Sequence, residues 1–129
     1  MMPLMVFSYN HPSQKAAITG ELDVSGIVTF AVYAAPDSPI RGTELFLRMM
    51  NAFGDDVRAI EGVWRKGNSP SINIDKVNEL TGQGLSIEDA VLHAWTVTRA
   101  RKIGFTKVTV TYQQGSPGNF RKVDVLIEK

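Results

Sequence analysis

Over residues 18–33 the chain alternates apolar and polar side chains on either side of a Ser-Gly step, a period that fits a β-hairpin and not a helix. In the first arm Ile18, Leu22 and Val24 alternate with Thr19, Glu21 and Asp23; in the second, Val28, Phe30 and Val32 alternate with Thr29, Ala31 and Tyr33. Residues directly opposite in an antiparallel pair share a face. A two-residue Ser25-Gly26 loop would set Leu22 against Thr29 and send the two apolar sets to opposite faces. A three-residue loop, Val24-Ser25-Gly26, sets Leu22 against Val28 and Ile18 against Val32. The spacing therefore predicts the three-residue loop, with Gly26 left-handed.

The stretch that follows reads as a helix capped by Ser38 with Pro39 in its first position, where no backbone donor is needed. Its apolar stripe is Leu45, Phe46, Met49, Met50 and Phe53, and Gly54 ends it. Residues 57–64 read as a strand, and Gly67, Asn68, Ser69 and Pro70 as a loop. A short helix begins near Asn73. A stronger one follows, capped by Ser86, with Ile87, Val91, Ala94 and Thr98 as its inner face and Gly104 as its end. A last hairpin pairs residues 107–113 with 120–128. Setting Tyr112 opposite Val123 puts all its valines on one face and leaves Ser116 to Asn119 as the loop, with Pro117-Gly118 suited to a type II turn.

These elements predict an α+β protein of order ββαβααββ: a single, mostly antiparallel sheet of about five strands with helices on one face. With 129 residues, residues 1–129 read as one domain, in which 1–16 form a loose N-terminal arm or an extra edge strand. Apolar residues at 43% and charged residues at 21% are globular values, which argues against disorder. No apolar run is long enough for a membrane span, and Tyr9, Asn10, His11 and Pro12 interrupt the apolar start too early for a signal peptide, so a cytoplasmic bacterial protein without a membrane partner is the expectation.

The absence of cysteine removes disulfides, thiolate zinc sites and a cysteine nucleophile together, and two histidines leave little for a metal site. No metal and no cofactor are expected. The formal charge of +1 is uneven: residues 57–129 carry eleven basic and seven acidic residues, while residues 1–56 carry three and six. A basic face for an anionic ligand or RNA is thus confined to the C-terminal part. Its candidates are Arg99, Arg101, Lys102 and Lys107, joined by Arg65-Lys66 and Arg121-Lys122; the plainer role for the first three is to complement the negative end of a helix dipole.

Candidate chemistry centres on His93, with Asp89 four residues earlier as an orienting carboxylate and Arg99 and Arg65 as phosphate contacts. The same His-carboxylate spacing is also an ordinary solvated pair on a helix surface. Trp64 beside Arg65 and Lys66, together with Tyr112, are candidates for ligand stacking, and Arg41 in a first helical turn is a candidate anion contact. Gly115-Ser116-Pro117-Gly118-Asn119 joins two strands and opens no helix, so it is a turn and not a phosphate loop.

Over residues 64–125 the pattern Trp64, Gly67-Asn68, Gly84, Ala90, Trp95-Thr96, Ala100, Gly104-Phe105-Thr106 and Gly115-Ser116-Pro117-Gly118-Asn119 resembles the C-terminal domains of bacterial polymorphic-toxin (Rhs-type) proteins. The resemblance implies an effector, such as a nuclease, of a mobile or competitive genetic element; it carries no catalytic residue over to this chain. With no convergent acid, base, nucleophile or metal cluster visible, the leading expectation is a small, soluble, non-catalytic binding module, self-associating as a homodimer through a sheet edge or an apolar helix face. A metal-independent ribonuclease-type effector using His93, Arg99 and Arg65 is the alternative. A third reading is a small-molecule pocket between sheet and helices, lined by Trp64, Trp95 and Tyr112.

Overall fold

Both alternating regions form antiparallel ladders, and each apolar stripe lies on a helix packed against one of them. The structure, a computed structural model, describes residues 4–67 and 71–129; Asn68, Ser69 and Pro70 of the expected loop lie outside the described residues. The protein is α+β. In chain order its elements are β1 (Met5–Asn10), β2 (Ala16–Leu22), β3 (Ile27–Ala34), α1 (Gly42–Phe53), a 3-10 turn (Gly54–Asp56), β4 (Ala59–Arg65), α2 (Ile72–Gly82), α3 (Ile87–Val91), α4 (Trp95–Lys102), β5 (Lys107–Ser116) and β6 (Asn119–Glu128). The expected order ββαβααββ is corrected to βββαβαααββ. The N-terminal arm contributes a sixth strand, and the long helix expected after Ser86 is two helices. The chain divides into two compact units, Met1–Arg58 and Ala59–Lys129.

In the first unit β2 lies between β1 and β3. Leu22 pairs with Val28 and Ile18 with Val32, the register that the apolar alternation requires. Gly26 takes φ +83° in the three-residue loop, a backbone conformation that L side chains avoid. The Asp23 carboxylate accepts from the backbone N–H of Ser25 at 2.8 Å and of Ile27 at 3.0 Å, so the turn is held by its first residue. β1 pairs along its whole length with β2, from Met5 opposite Leu22 to Asn10 opposite Ala17.

Helix α1 buries Leu45, Phe46, Met49, Met50 and Phe53 against this ladder, as the stripe requires, and packs on β1, β2 and β3. It starts later than expected. Arg41 is its N-cap, without a side-chain cap, and the Ser38 hydroxyl instead donates to the Ile40 carbonyl at 2.7 Å. Ser38 closes its own turn, a competing local bond that hydroxyl residues readily make.

In the second unit β6 lies between β4 and β5. Val123, Val125 and Ile127 of β6 are buried, and helix α2 packs over β4 and β6 while α3 packs on β5. Val108 pairs with Ile127 and Val110 with Val125, as expected, but the register then slips, so Tyr112 faces Asp124 and not Val123. A bulge at Thr111 turns Tyr112 away from the buried face and leaves it 47% exposed. The turn is also tighter than expected, with Ser116 paired to Asn119 around Pro117-Gly118 and Gly118 at φ +82°. Helix α2 fixes this turn. Asn78 donates to the Phe120 carbonyl and accepts from its N–H, while Thr81 Oγ1 accepts from the Gly118 N–H at 2.8 Å.

Candidate functional site

The break between α3 and α4 builds one wall of a groove in the second unit. Ser86 caps α3 as expected, its hydroxyl accepting from the Asp89 N–H at 3.1 Å. The backbone then tightens through Leu92, His93 and Ala94, whose N–H groups bond three residues back, and Ala94 turns extended with ψ 148°. Helix α4 restarts from the Ala94 carbonyl, which accepts from the Thr98 N–H at 3.0 Å.

The cap for this new start comes from α2. Asn73 Oδ1 accepts from the Thr96 N–H at 3.0 Å, and Asn73 Nδ2 donates to Thr96 Oγ1 at the same distance. A helix N-terminus leaves its first N–H groups without intrahelical partners, and a side-chain oxygen normally supplies one within the same segment. Here it is supplied from another helix. Thr96, only 4% exposed, is thereby satisfied through both its backbone and its hydroxyl.

The restart changes which residues face inward. The expected stripe of Ile87, Val91, Ala94 and Thr98 holds through Ala94, after which Val97 and Ala100 are buried and Thr98 is only half-buried. His93 stands exposed at the elbow, and Trp95 and Arg99 lie one turn apart along α4. The Arg99 guanidinium stacks on the Trp95 ring with its carbon 4.6 Å from the ring centroid. Arg99 Nη1 also donates to Thr98 Oγ1 at 2.9 Å. Partial burial lowers the Arg99 pKa, because desolvation disfavours the charged form.

Opposite this pair, α2 presents Ile72, Asp75, Lys76 and Glu79 along one side. With Ser71, His93, Trp95 and Arg99 they line a groove of about 620 Å3. That volume lies within the roughly 300–1,000 Å3 typical of small-ligand sites. The Ser71 hydroxyl donates to Asp75 at 2.7 Å, and Lys76 sits 3.6 Å from Glu79. The wall thus offers two carboxylates, two fixed cations, an imidazole and an indole. Among the described residues no cluster of three or more His, Asp or Glu side chains has metal-binding geometry.

No known protein family, curated protein or solved structure matches the chain.

Of the residues singled out in the sequence, His93 and Arg99 share this groove, and Arg65 does not line it. No hydrogen bond joins Asp89 to His93 among the described residues, and Asp89 is absent from the groove wall, so the expected orienting carboxylate is not in place. Of the three expected pocket aromatics only Trp95 lines the groove; Trp64 is buried on β4 and Tyr112 is exposed on β5. Arg41 lies in the first unit, exposed at the start of α1.

Arg65 and Lys66 have a different setting. Arg65 pairs across β4–β6 with Lys122, and the Lys66 N–H donates to the Arg121 carbonyl at 2.9 Å. Two dipeptides 56 positions apart thus meet at one end of the ladder. Arg99 belongs to the groove, and Lys107 faces Glu128 at 3.9 Å. The groove wall from α2 escaped the sequence reading. Its signal was the helical spacing of Ile72, Asp75, Lys76 and Glu79, which is indistinguishable from a solvated helix face until a partner element is known.

Proposed function

We propose that the protein is a small ligand-binding module whose site is the α2–α4 groove, and that its ligand is a small planar molecule carrying an anionic group. The observation that carries this reading is the stacked Trp95–Arg99 pair on the wall of a groove of ligand size. The indole offers an apolar face for a planar ring, and Arg99, His93 and Lys76 surround it with donors for an anion. Because Arg99 is partly desolvated, an anionic partner interacts with it more strongly than it would with a fully hydrated guanidinium. Asp75 and Glu79 supply acceptors for ligand N–H or O–H groups.

The test uses a Trp64→Phe background, in which Trp95 is the only tryptophan. Titration with a panel of aromatic carboxylates and nucleoside monophosphates is expected to give saturable quenching of Trp95 emission by at least one class. Arg99→Ala in the same background is expected to weaken that binding about tenfold or more, the usual loss for a hydrogen bond to a charged group. An unchanged spectrum across the panel, or equal affinity in the Arg99→Ala protein, would overturn the assignment.

The presence of His93 and Arg99 on one wall also favours a second reading, the ribonuclease-type effector, with His93 as general base and Arg99 as phosphate contact. Purified protein incubated with total RNA is then expected to produce fragments that a His93→Ala variant does not. No cleavage, or equal cleavage by both proteins, removes this reading and leaves the binding module.

A further inference from the structure

The second unit carries another cluster on the sheet face opposite its helices. Along β6 the buried Val123, Val125 and Ile127 alternate with Lys122, Asp124 and Leu126, which point the other way. On β4, Arg65 and Val63 alternate with the buried Trp64 in the same manner. Cross-strand pairing aligns these residues in rows. One row is Arg65, Lys122 and Gln114, and the next is Val63, Asp124 and Tyr112.

The Thr111 bulge brings Tyr112 onto this face, where the Lys122 ammonium lies 5.0 Å from its ring centroid and 3.4 Å from Asp124. Lys66 and Arg121 lie at the same strand ends, but Arg121 alternates with Lys122 and points to the other face, while Lys66 donates to Asn119 Oδ1 at 2.7 Å. Arg65 and Lys122 thus share the open face with the exposed Tyr112 ring and with Asp124, whose charge Lys122 offsets. The Asp124 oxygen that does not face Lys122 is buried and has no hydrogen-bond partner among the described residues. Glu61 and Glu128 lie toward the other end of the face, so the positive potential is confined to the Tyr112 end.

We infer that this face binds single-stranded RNA, separately from the groove. A chain with free bases and a charged backbone matches both halves of the cluster: one base stacks on Tyr112, and the neighbouring phosphates take Arg65 and Lys122. Lys122 stays half-buried between the ring and Asp124 and turns a remaining hydrogen to a phosphate, since an ammonium carries three donors. Gln114, exposed in the row next to Tyr112, faces the hydrogen-bonding edge of a stacked base. A duplex satisfies only the charges, since its bases are already stacked.

The experiment is fluorescence anisotropy of a short labelled single-stranded RNA, titrated with the full chain at several salt concentrations. Binding is expected to weaken with salt, and Arg65→Ala/Lys122→Ala is expected to lower the log–log salt slope by about 1.4, near 0.7 for each lost phosphate contact. Tyr112→Ala is expected to weaken binding by about fivefold or more, while Tyr112→Phe stays within about twofold. Arg101→Ala, which removes one cation from the last turn of α4, is the charge-matched control for the single Arg65→Ala variant and is expected to leave affinity unchanged. No binding at low salt, Tyr112→Ala binding like the parent, Arg101→Ala costing as much as Arg65→Ala, or duplex RNA competing equally would each overturn the inference. Circular dichroism melts establish that each variant is folded before it is scored.

Discussion

Replacing Asn73 with alanine is expected to cost about 2–3 kcal/mol, combining the loss of a helix cap with the burial of an unpaired threonine. The reason is local. Asn73 supplies the acceptor for the Thr96 N–H and the donor for Thr96 Oγ1, and Thr96 is buried. Without it, α4 has no side-chain cap of its own, since Ala94 stands at its N-cap position. The elbow that presents His93, Trp95 and Arg99 to α2 would loosen, so Trp95 emission should shift and ligand binding in the groove should weaken with stability. Asn73→Asp is the informative companion. It keeps the acceptor, places negative charge at a helix N-terminus, and lets the Thr96 hydroxyl donate in return, so it should retain all but about 1 kcal/mol. Urea denaturation compares the three proteins at constant m. Equal midpoints for Asn73→Ala and the parent would mean that the α4 start is held by something else.

Phe46→Ala is expected to be the most damaging single truncation, at about 3–5 kcal/mol. Phe46 is fully buried on α1, with its ring 5.3 Å from that of Phe30 on β3. The neighbouring Leu47→Ala removes an aliphatic side chain that is 43% exposed, and it should change stability by only about 0.5 kcal/mol. The contrast between adjacent positions tests the face of α1 directly. Similar losses for both would show that α1 turns a different face to the ladder.

The parts of this fold that were legible in the sequence are those decided by a two-sided choice. Ile18 against Val32 and Leu22 against Val28 followed from asking which loop length keeps apolar residues together, and the observed ladder has that register. The α1 stripe followed from 3.6-residue spacing alone. The Thr111 bulge did not, because Tyr112 completes the valine alternation equally well on either register; only the ladder shows it turned outward beside Lys122. Ser38 was misread for a related reason. Its hydroxyl has a bond to make, and a turn at Ile40 competes with the helix start for it.

The candidate site divides in the same way. His93, Arg99, Arg65, Lys66 and Tyr112 could be picked out as chemically able residues, but their grouping could not. His93 and Arg99 come together because Asn73, twenty residues before His93, caps a helix it does not belong to. Arg65 leaves that group for Lys122 because β4 pairs with β6. Local periodicity determined the α+β class, the hairpin register and the buried face of α1, since each depends on neighbours a few residues away. Tertiary structure alone decided where the last helix breaks and which cations share a surface. Both depend on hydrogen bonds and strand pairings between distant segments, whose partners the local pattern does not identify.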